Sequence, residues 1–172
     1  RPSAGSSDPA ETLSGVALIP GTGEYALATT PVHFSDGPGA NRSVNVNSAS
    51  GKTDFATSIE DLRGEIAGIN SVSLVVSWFG DDLRAGQCSL TPRVEQTEQD
   101  GIPMPWTVSG QARAGAPTVS RIDDRPVFGG TPSDASVIES IREIRDGGQE
   151  VMFYPFILMD ILEGNGLTDP WS

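Results

Sequence analysis

The chain has 172 residues, enough for one domain with a hydrophobic core, or for one domain and an arm. Its 23 acidic and 11 basic residues give a formal charge of −12, which opposes broad contact with polyphosphates, so no nucleic acid is expected as a ligand. A single cysteine, Cys88, excludes an internal disulfide, and a single histidine, His33, excludes a zinc-type cluster. Both side chains are expected to be structural, and no cofactor or metal is expected. The longest apolar run, residues 151–159, is too short for a membrane span, so a soluble chain is expected.

The first part of the chain is predicted to be a flexible arm. Residues 1–14 are rich in Ser, Pro, Ala and Gly, and bury too little apolar surface to offset the entropy of ordering. Between residues 16 and 46, short apolar pieces are broken by Pro and Gly, which is typical of extended segments and turns. The division is therefore a flexible N-terminal arm with short extended segments over 1–52 and one domain over 53–172. Because the chain begins without methionine, it is interpreted as a processed product or a piece of a larger protein.

Residues 50–53 read SGKT, like the end of a phosphate-binding loop. Such a loop needs a first glycine five positions before Gly51, where this chain has Val46. Nucleotide binding is therefore not expected, and Thr53 or Asp54 is interpreted as a helix cap.

A helix followed at once by a strand is predicted twice. Apolar residues at helical spacing predict a first helix that begins near residue 54 and ends at about Asn70, followed by an apolar strand over 72–79. The second helix is predicted to begin with Thr131 as its cap, Pro132 in its first position and Asp134 completing a capping box.

The second helix is expected to end at the glycine pair 147–148, before a strand over 151–159. This strand is apolar without alternation, which requires cover on both of its faces. The two strands are predicted to be neighbours in a parallel sheet, with the second helix in the crossover between them.

A long segment, residues 83–130, separates the first strand from the second helix. Short strands are predicted within it at 89–95, 106–109 and 127–128, separated by turn residues. It is interpreted as a small β insertion that lies over the carboxyl end of the sheet, because it leaves the first strand there.

Three sequence blocks together resemble a known family. They are VSLVVSWFGDDLR at 72–84, GGTPSDA at 129–135 and FYPFILMD at 153–160. They resemble the TIM-barrel-like domain of gene transfer agent host-specificity proteins, which are large phage-tail-type baseplate components. The resemblance covers roughly residues 54–172. It implies the opening βα units of a glycoside-hydrolase-like barrel on the tail of a virus-like particle assembled in the bacterial cytoplasm. Other baseplate subunits are the implied partners, and cell-envelope glycan or peptidoglycan is the implied contact.

The length of the chain limits what this resemblance implies. A (β/α)₈ barrel takes about 250 residues, and the sequence offers two convincing core strands. Glycosidases use two carboxylates that flank the scissile bond, and the family picture places those acids on later strands. The chain alone is therefore not expected to hydrolyse a glycan.

Polar residues and a tryptophan follow the two predicted strands and form the candidate site. Trp78, Asp81, Asp82 and Arg84 lie at the end of the first strand, and Asp160 lies at the end of the second. A tryptophan face can stack on a sugar ring, while carboxylates and a guanidinium can bind its hydroxyls, so the functional interpretation is a sugar-binding edge. The alternative, which is favoured for the aspartate pair, makes them turn residues with Arg84 paired to one of them. Asp160 is the stronger candidate, although it could cap the turn that follows.

Two further functions remain open from the sequence. The barrel could be a purely structural assembly module of the tail without catalysis. The chain could also be a free-standing α/β domain that binds a small molecule, which requires a complete sheet with covered edges. Tyr154 could point into a barrel lumen or pack beneath a helix, and a core position is favoured. Trp106 and Trp171 are expected to be packing residues or tail anchors and not ligand contacts.

Overall fold

The structure, a computed structural model, describes residues 8–20, 23–160 and 166. Its helices are α1 (Pro9–Thr12), α2 (Asp54–Glu65) and α3 (Asp134–Asp146), with one 3₁₀ turn at Arg113–Gly115. Its strands are β1 (Gly15–Leu18), β2 (His33–Ser35), β3 (Asn41–Ser43), β4 (Ser71–Gly80), β5 (Leu90–Thr91), β6 (Thr107–Val108), β7 (Gln111–Ala112), β8 (Arg121–Ile122), β9 (Arg125–Pro126) and β10 (Glu150–Met159).

A parallel sheet with the order β1-β4-β10 organises the fold. All ten residues of β10 pair with β4, from Glu150 beside Ser71 to Met159 beside Gly80. β1 pairs with the first four residues of β4, and β5 pairs antiparallel with its last two. The predicted parallel pairing of the two apolar strands, with a helix in the crossover, is confirmed. The three parallel strands follow one another across the sheet in chain order.

Both crossover helices lie on the same face of this sheet. Side chains alternate along a strand, so Val72, Leu74 and Val76 of β4 point to one face. They form one buried cluster with apolar residues of both helices. The helical members are Phe55 and Ile59 of α2, and Val137 and Ile144 of α3. A doubly wound sheet carries helices on both faces, whereas a barrel carries them all outside. In the described residues the sheet is open and no barrel closes.

The first helix begins where the sequence predicts and ends earlier. Thr53 is its N-cap, and its hydroxyl accepts a hydrogen bond from the Ala56 amide at 3.3 Å. The helix ends at Glu65, so the prediction that it continues to about Asn70 is wrong. Ile69, which fits the helical spacing, is buried in the connection to β4 instead.

The predicted capping box at the start of α3 is wrong. The N-cap is Ser133, whose hydroxyl accepts from the Ser136 amide at 3.2 Å. Thr131 is fully buried and makes tertiary contacts instead, since its hydroxyl accepts from the Arg93 amide at 3.1 Å. The carboxylate of Asp134 accepts from the Ser109 amide at 2.8 Å, in the insertion. These contacts with distant segments place the start of the helix two residues later than local sequence signals suggest.

Arg63 of α2 connects the two helices. Its guanidinium donates to the Glu143 carboxylate and to the Glu143 carbonyl, each at 2.8 Å, and to Gln149 Oε1 at 3.0 Å. It lies against Gly147, the C-cap of α3, where a Cβ atom would stand 1.8 Å from Arg63 Nη2. The end of α3 is therefore fitted to a side chain of α2.

The described part of the predicted arm packs into the fold. β1 belongs to the main sheet, and the segment after it is buried rather than flexible. Its fully or almost fully buried residues are Tyr25, Leu27, Ala28, Val32 and Phe34. These residues lie at irregular spacings in the sequence, because single side chains between turns enter the core. The sequence therefore shows neither a helical nor a strand period here. The predicted domain boundary at residue 52 stays a prediction.

A second hydrophobic cluster joins this N-terminal segment to the insertion. It contains Tyr25 and Phe34 together with Val94, Trp106 and Val108 of the insertion. The insertion contains the hairpins β6–β7 and β8–β9. The predicted strand at 127–128 is wrong, because the second hairpin lies just before it. The ring of Phe128 instead lies 5.9 Å from that of Phe79, near the carboxyl end of β4.

Part of the sheet face opposite the helices is not covered by any of the residues that the structure describes, and we call this part the open face. It is formed by Ala17, Ile19, Ser73, Val75, Met152, Tyr154 and Phe156. β10 is exposed on both of its faces, since Phe153 and Ile157 on the helix side are also open to solvent. The prediction that Tyr154 packs in the core is wrong, because 46% of it is exposed. The cover that an apolar parallel strand requires is therefore missing from β10 in the described residues.

Leu74→Ala should lower the free energy of unfolding by about 2–5 kcal/mol, because this fully buried side chain of β4 belongs to the cluster that contains apolar residues of both helices. Ile138→Ala, on the exposed side of α3, is the matched control and should change stability by about 0.5 kcal/mol or less. Urea denaturation of both variants measures this. Equal losses for the two variants would contradict the placement of the core between β4 and the helices.

Candidate functional site

Asp160 follows β10 directly, and its carboxylate is occupied by protein groups. The backbone continues the strand pairing, with the Asp160 amide donating to the Gly80 carbonyl at 3.0 Å. Oδ2 accepts from Arg93 Nη1 at 2.5 Å and from the Ser120 amide at 3.2 Å. The side chain is 2% exposed. Asp160, the strongest candidate for a glycan contact from the sequence, is therefore buried, and its hydrogen bonds join the sheet to the insertion.

Arg93, the partner of Asp160, has no place in the sequence-predicted site. Its guanidinium lies over the ring of Phe79, 5.8 Å from the centroid. Its amide donates to Thr131, so both its main chain and its side chain bind other segments. The acid and the arginine are 67 positions apart, so no local spacing identifies the pair.

Asp82 and Arg84 pair with each other inside a turn. The Asp82 carboxylate accepts from the Arg84 amide at 2.8 Å and from Arg84 Nη2 at 2.6 Å. The hydrogen bond from the guanidinium lowers the pKa of Asp82 to about 2. Asp81 accepts from the Ser89 amide at 2.7 Å and so closes the next turn. This geometry agrees with the favoured interpretation of these acids as turn residues.

Trp78 is held in the fold by apolar packing. It is half-buried and packs against both hydrophobic clusters of the fold. Of the five predicted site residues, hydrogen bonds and ion pairs bring together only Asp82 and Arg84. Asp160 is paired separately with Arg93. The exposed members of the predicted site are Asp81 and Arg84.

Arg113, in the insertion, is a buried charged residue with four hydrogen bonds from its guanidinium. Its Nη2 donates to Glu24 Oε2 at 2.5 Å and to the Tyr25 hydroxyl at 3.0 Å, and its Nε donates to Asp100 Oδ1 at 2.9 Å. We call these four residues the Arg113 network. The side chains of Arg113 and Glu24 are 3% and 4% exposed. The network ties the segment before β2 to two separate parts of the insertion.

In this network, burial and hydrogen bonding shift the pKa of each charged group in opposite directions. Burial raises the pKa of Glu24 above its ordinary 4.5, and Arg113 opposes that rise. Burial alone would lower the pKa of Arg113, but its hydrogen bonds with Glu24 and Asp100 raise it overall, so the guanidinium stays charged. The amide of Glu95 donates to Glu24 Oε1 at 2.7 Å and completes the coordination of that carboxylate.

Aromatic rings surround the same guanidinium. Arg113 Cζ lies 5.9 Å from the ring centroids of Tyr25, Phe34 and Trp106. Such an arrangement resembles the aromatic boxes that bind cationic ligands. Here the cation is the arginine of the protein itself, so the box stabilises the fold and leaves no room for a ligand.

Two connected hollows lie on the open face. One, of about 380 Å³, is at the carboxyl end of the strands, between Phe128 of the insertion and Leu158 of β10. The other, of about 310 Å³, continues along the sheet towards Ala17 and Met152. No charged residue lines either hollow within the described part of the chain. Their lining is mainly apolar, so they can receive apolar groups, and the polar side chains that line them are Ser73, Ser77 and Tyr154.

The structure offers no metal centre within its described ranges. No group of three or more His, Cys, Asp and Glu side chains is placed there to hold an ion. Within residues 8–20, 23–160 and 166, no helix is long and apolar enough to cross a bilayer. No protein-family model matches the chain, and no curated protein is significantly similar to it.

A second, partly buried contact fixes α3 to the N-terminal segment. The Glu139 carboxylate accepts from the amides of Thr29 and Thr30, each at 2.9 Å, and from the Thr30 hydroxyl at 2.7 Å. Burial alone would raise the pKa of Glu139, but these hydrogen bonds lower it below its ordinary 4.5. The ionised form therefore binds this loop.

Arg113→Met should lower the free energy of unfolding by about 3–5 kcal/mol, because it leaves Glu24 buried without its cation. Arg84→Met, at a guanidinium 66% exposed, is the matched control and should change it by about 1 kcal/mol or less. The double variant Arg113→Met with Glu24→Leu should recover part of the loss, since no unpaired charge remains buried. Chemical denaturation of the three proteins provides the measurement. A double variant that is less stable than Arg113→Met would argue against charge burial as the cause.

Glu139→Gln should lower stability at neutral pH by about 1 kcal/mol, since the site is partly open to solvent. The folded pKa of Glu139 is lowered, so its contribution is present above 4.5 and is lost as the pH falls through the lowered value. The difference between wild type and variant should therefore shrink below pH 4.5. Glu60→Gln, at an exposed ion pair, is the control. A difference that stays constant on acidification would rule out a contribution from the ionised carboxylate.

Proposed function

We propose that this chain forms the opening βα units of a TIM-barrel-like domain in a phage-tail-type baseplate protein of the gene transfer agent host-specificity type. We propose a scaffolding role for it in that domain, without catalysis. One observation carries the proposal: three parallel strands lie in chain order, and both crossover helices lie on the same face. Repeating such a unit curves a sheet into a barrel with its helices outside.

The open face supports the same proposal. In a barrel, the face opposite the helices is the interior, which is filled by layers of side chains from alternate positions. Here that face carries Val75, Tyr154 and Phe156, which are large enough to fill such layers. Tyr154 and Phe156 are 46% and 43% exposed, as the opening strands of a barrel would be before the remaining strands enclose them, whereas Val75 is already buried.

The helix side of β10 also supports additional βα units. Phe153 and Ile157 pair in register with Leu74 and Trp78 of β4. The two β4 residues are covered in the fold, whereas Phe153 and Ile157 are 49% and 38% exposed. A further helix, placed one strand along from α3, would cover them as α2 and α3 cover β4.

The role in glycan contact follows from the resemblance and from the two exposed residues of the predicted site. Asp160 and Asp82 are bound by Arg93 and Arg84, so neither is free to act as an acid or base. We propose that Asp81 and Arg84 are the groups with which this chain contacts cell-envelope glycan on the tail of a virus-like particle. The other tail subunits are the proposed partners of the remaining surface.

A free-standing small-molecule binder is less well supported. The two hollows have a suitable volume, but they are open along the sheet and lack the convergent polar groups that orient a ligand. That function also requires a covered β10, which the described residues do not provide.

The test is cosedimentation of the chain with purified peptidoglycan, together with assay of released soluble sugar. We expect binding that falls about tenfold or more in Asp81→Asn with Arg84→Gln, because charged hydrogen bonds contribute about 1.5–3 kcal/mol. The control is Asp36→Asn with Arg42→Gln, which changes an exposed acid and an exposed arginine elsewhere on the surface in the same way. No sugar release is expected. Absence of binding would reject the glycan contact. If the chain released soluble sugar and Asp160→Asn abolished that release, the proposed scaffolding role without catalysis would be rejected.

A further inference from the structure

We propose that two copies of the 172-residue chain associate through their open faces. The largest exposed apolar side chains of this face are Ile19, Met152, Tyr154 and Phe156, which are 74%, 59%, 46% and 43% exposed. Soluble monomers seldom expose a contiguous apolar patch of several large side chains unless it meets a partner. In the proposed barrel, further strands would enclose this face, so the pairing is inferred for the 172-residue chain by itself and does not rest on the barrel.

The distribution of charge favours this surface over the rest of the molecule. The chain carries a formal charge of −12, so two copies repel one another in most orientations. Residues 151–159 contain no charged side chain, and neither hollow of the open face is lined by one. Contact between open faces therefore buries no charge and keeps the acidic surfaces apart.

The shape of the face is complementary to itself. In register across the sheet, β1 and β4 contribute the small residues Ala17 and Ser73, whereas β10 contributes Met152 beside them. Tyr154 and Phe156 continue the raised row along β10, with their rings 6.4 Å apart. A two-fold axis places the raised row of one copy in the hollow beside the row of the other, since the same patch meets itself in a two-fold pair.

The area is sufficient for a weak specific pair. At about 200 Å² for a large side chain, the four exposed fractions give about 450 Å² of apolar surface per copy, or about 900 Å² in a pair. Neighbouring atoms of the two faces bring this close to the lower limit of about 1,000 Å² for specific interfaces. Two such sheets pack about 10 Å apart, and micromolar affinity is the expected range.

The test is sedimentation velocity of the chain from about 1 to about 100 μM, a range that brackets micromolar affinity. We expect the mass to rise with concentration from 18.0 kDa towards twice that value. Tyr154→Lys and Phe156→Lys should each weaken association at least tenfold, because they bury a charge in the contact. Phe153→Lys is the matched control, on the same strand and the opposite face, and should associate like wild type. Circular dichroism and thermal melting check that each variant is folded.

A second measurement does not depend on the stability of the lysine variants. A nitroxide on Ser73→Cys, in a Cys88→Ser background, lies on the open face. Pulsed electron paramagnetic resonance should then show a distance below about 25 Å between copies, given sheets about 10 Å apart and flexible labels. A chain that stays monomeric over the whole range, or equal loss of association in Phe153→Lys, would overturn the inference. A monomer would leave the proposed scaffolding role untouched.

Discussion

The buried ion pair between Arg113 and Glu24 is the contact on which the placement of the insertion depends. Two charges that are almost fully removed from water are tolerated only when their hydrogen bonds are satisfied, and here Tyr25, Asp100 and Glu95 satisfy them. The bond spans 89 positions of the chain. It requires the segment before β2 and the insertion to fold as one unit, and the second hydrophobic cluster forms around that unit.

The position of this unit determines which side chains at the carboxyl end of the sheet are paired. Once the insertion is held there, Arg93 reaches Asp160 and closes the edge where acids of barrel enzymes are usually exposed. An acid at the end of a parallel strand is thus not by itself a functional group, because its neighbours decide whether it is free. At this edge Asp160 and Asp82 are held by Arg93 and Arg84, and Asp81 and Arg84 are the exposed members of the predicted site.

The elements with a strong period were predictable, and the contacts between distant segments were not. β4, β10 and α2 follow from apolar runs and helical spacing, and the pairing of the strands follows from the helix between them. The start of α3 was misplaced because Thr131 and Ser133 are equivalent as caps locally, and Arg93 decides between them by binding Thr131. The Asp82–Arg84 pair lies within one turn and was accessible from sequence, whereas Asp160–Arg93 has no local signal.

Gly147 shows how closely successive units are matched. It is the C-cap of α3 and has a φ of −76°, which any residue can adopt, so the backbone conformation does not require glycine here. Any Cβ there would collide with the guanidinium of Arg63, which binds the last turn of α3. A side chain there would push the guanidinium aside and weaken its hydrogen bonds to the last turn of α3. The arginine of one helix thus favours a following helix that ends at this glycine.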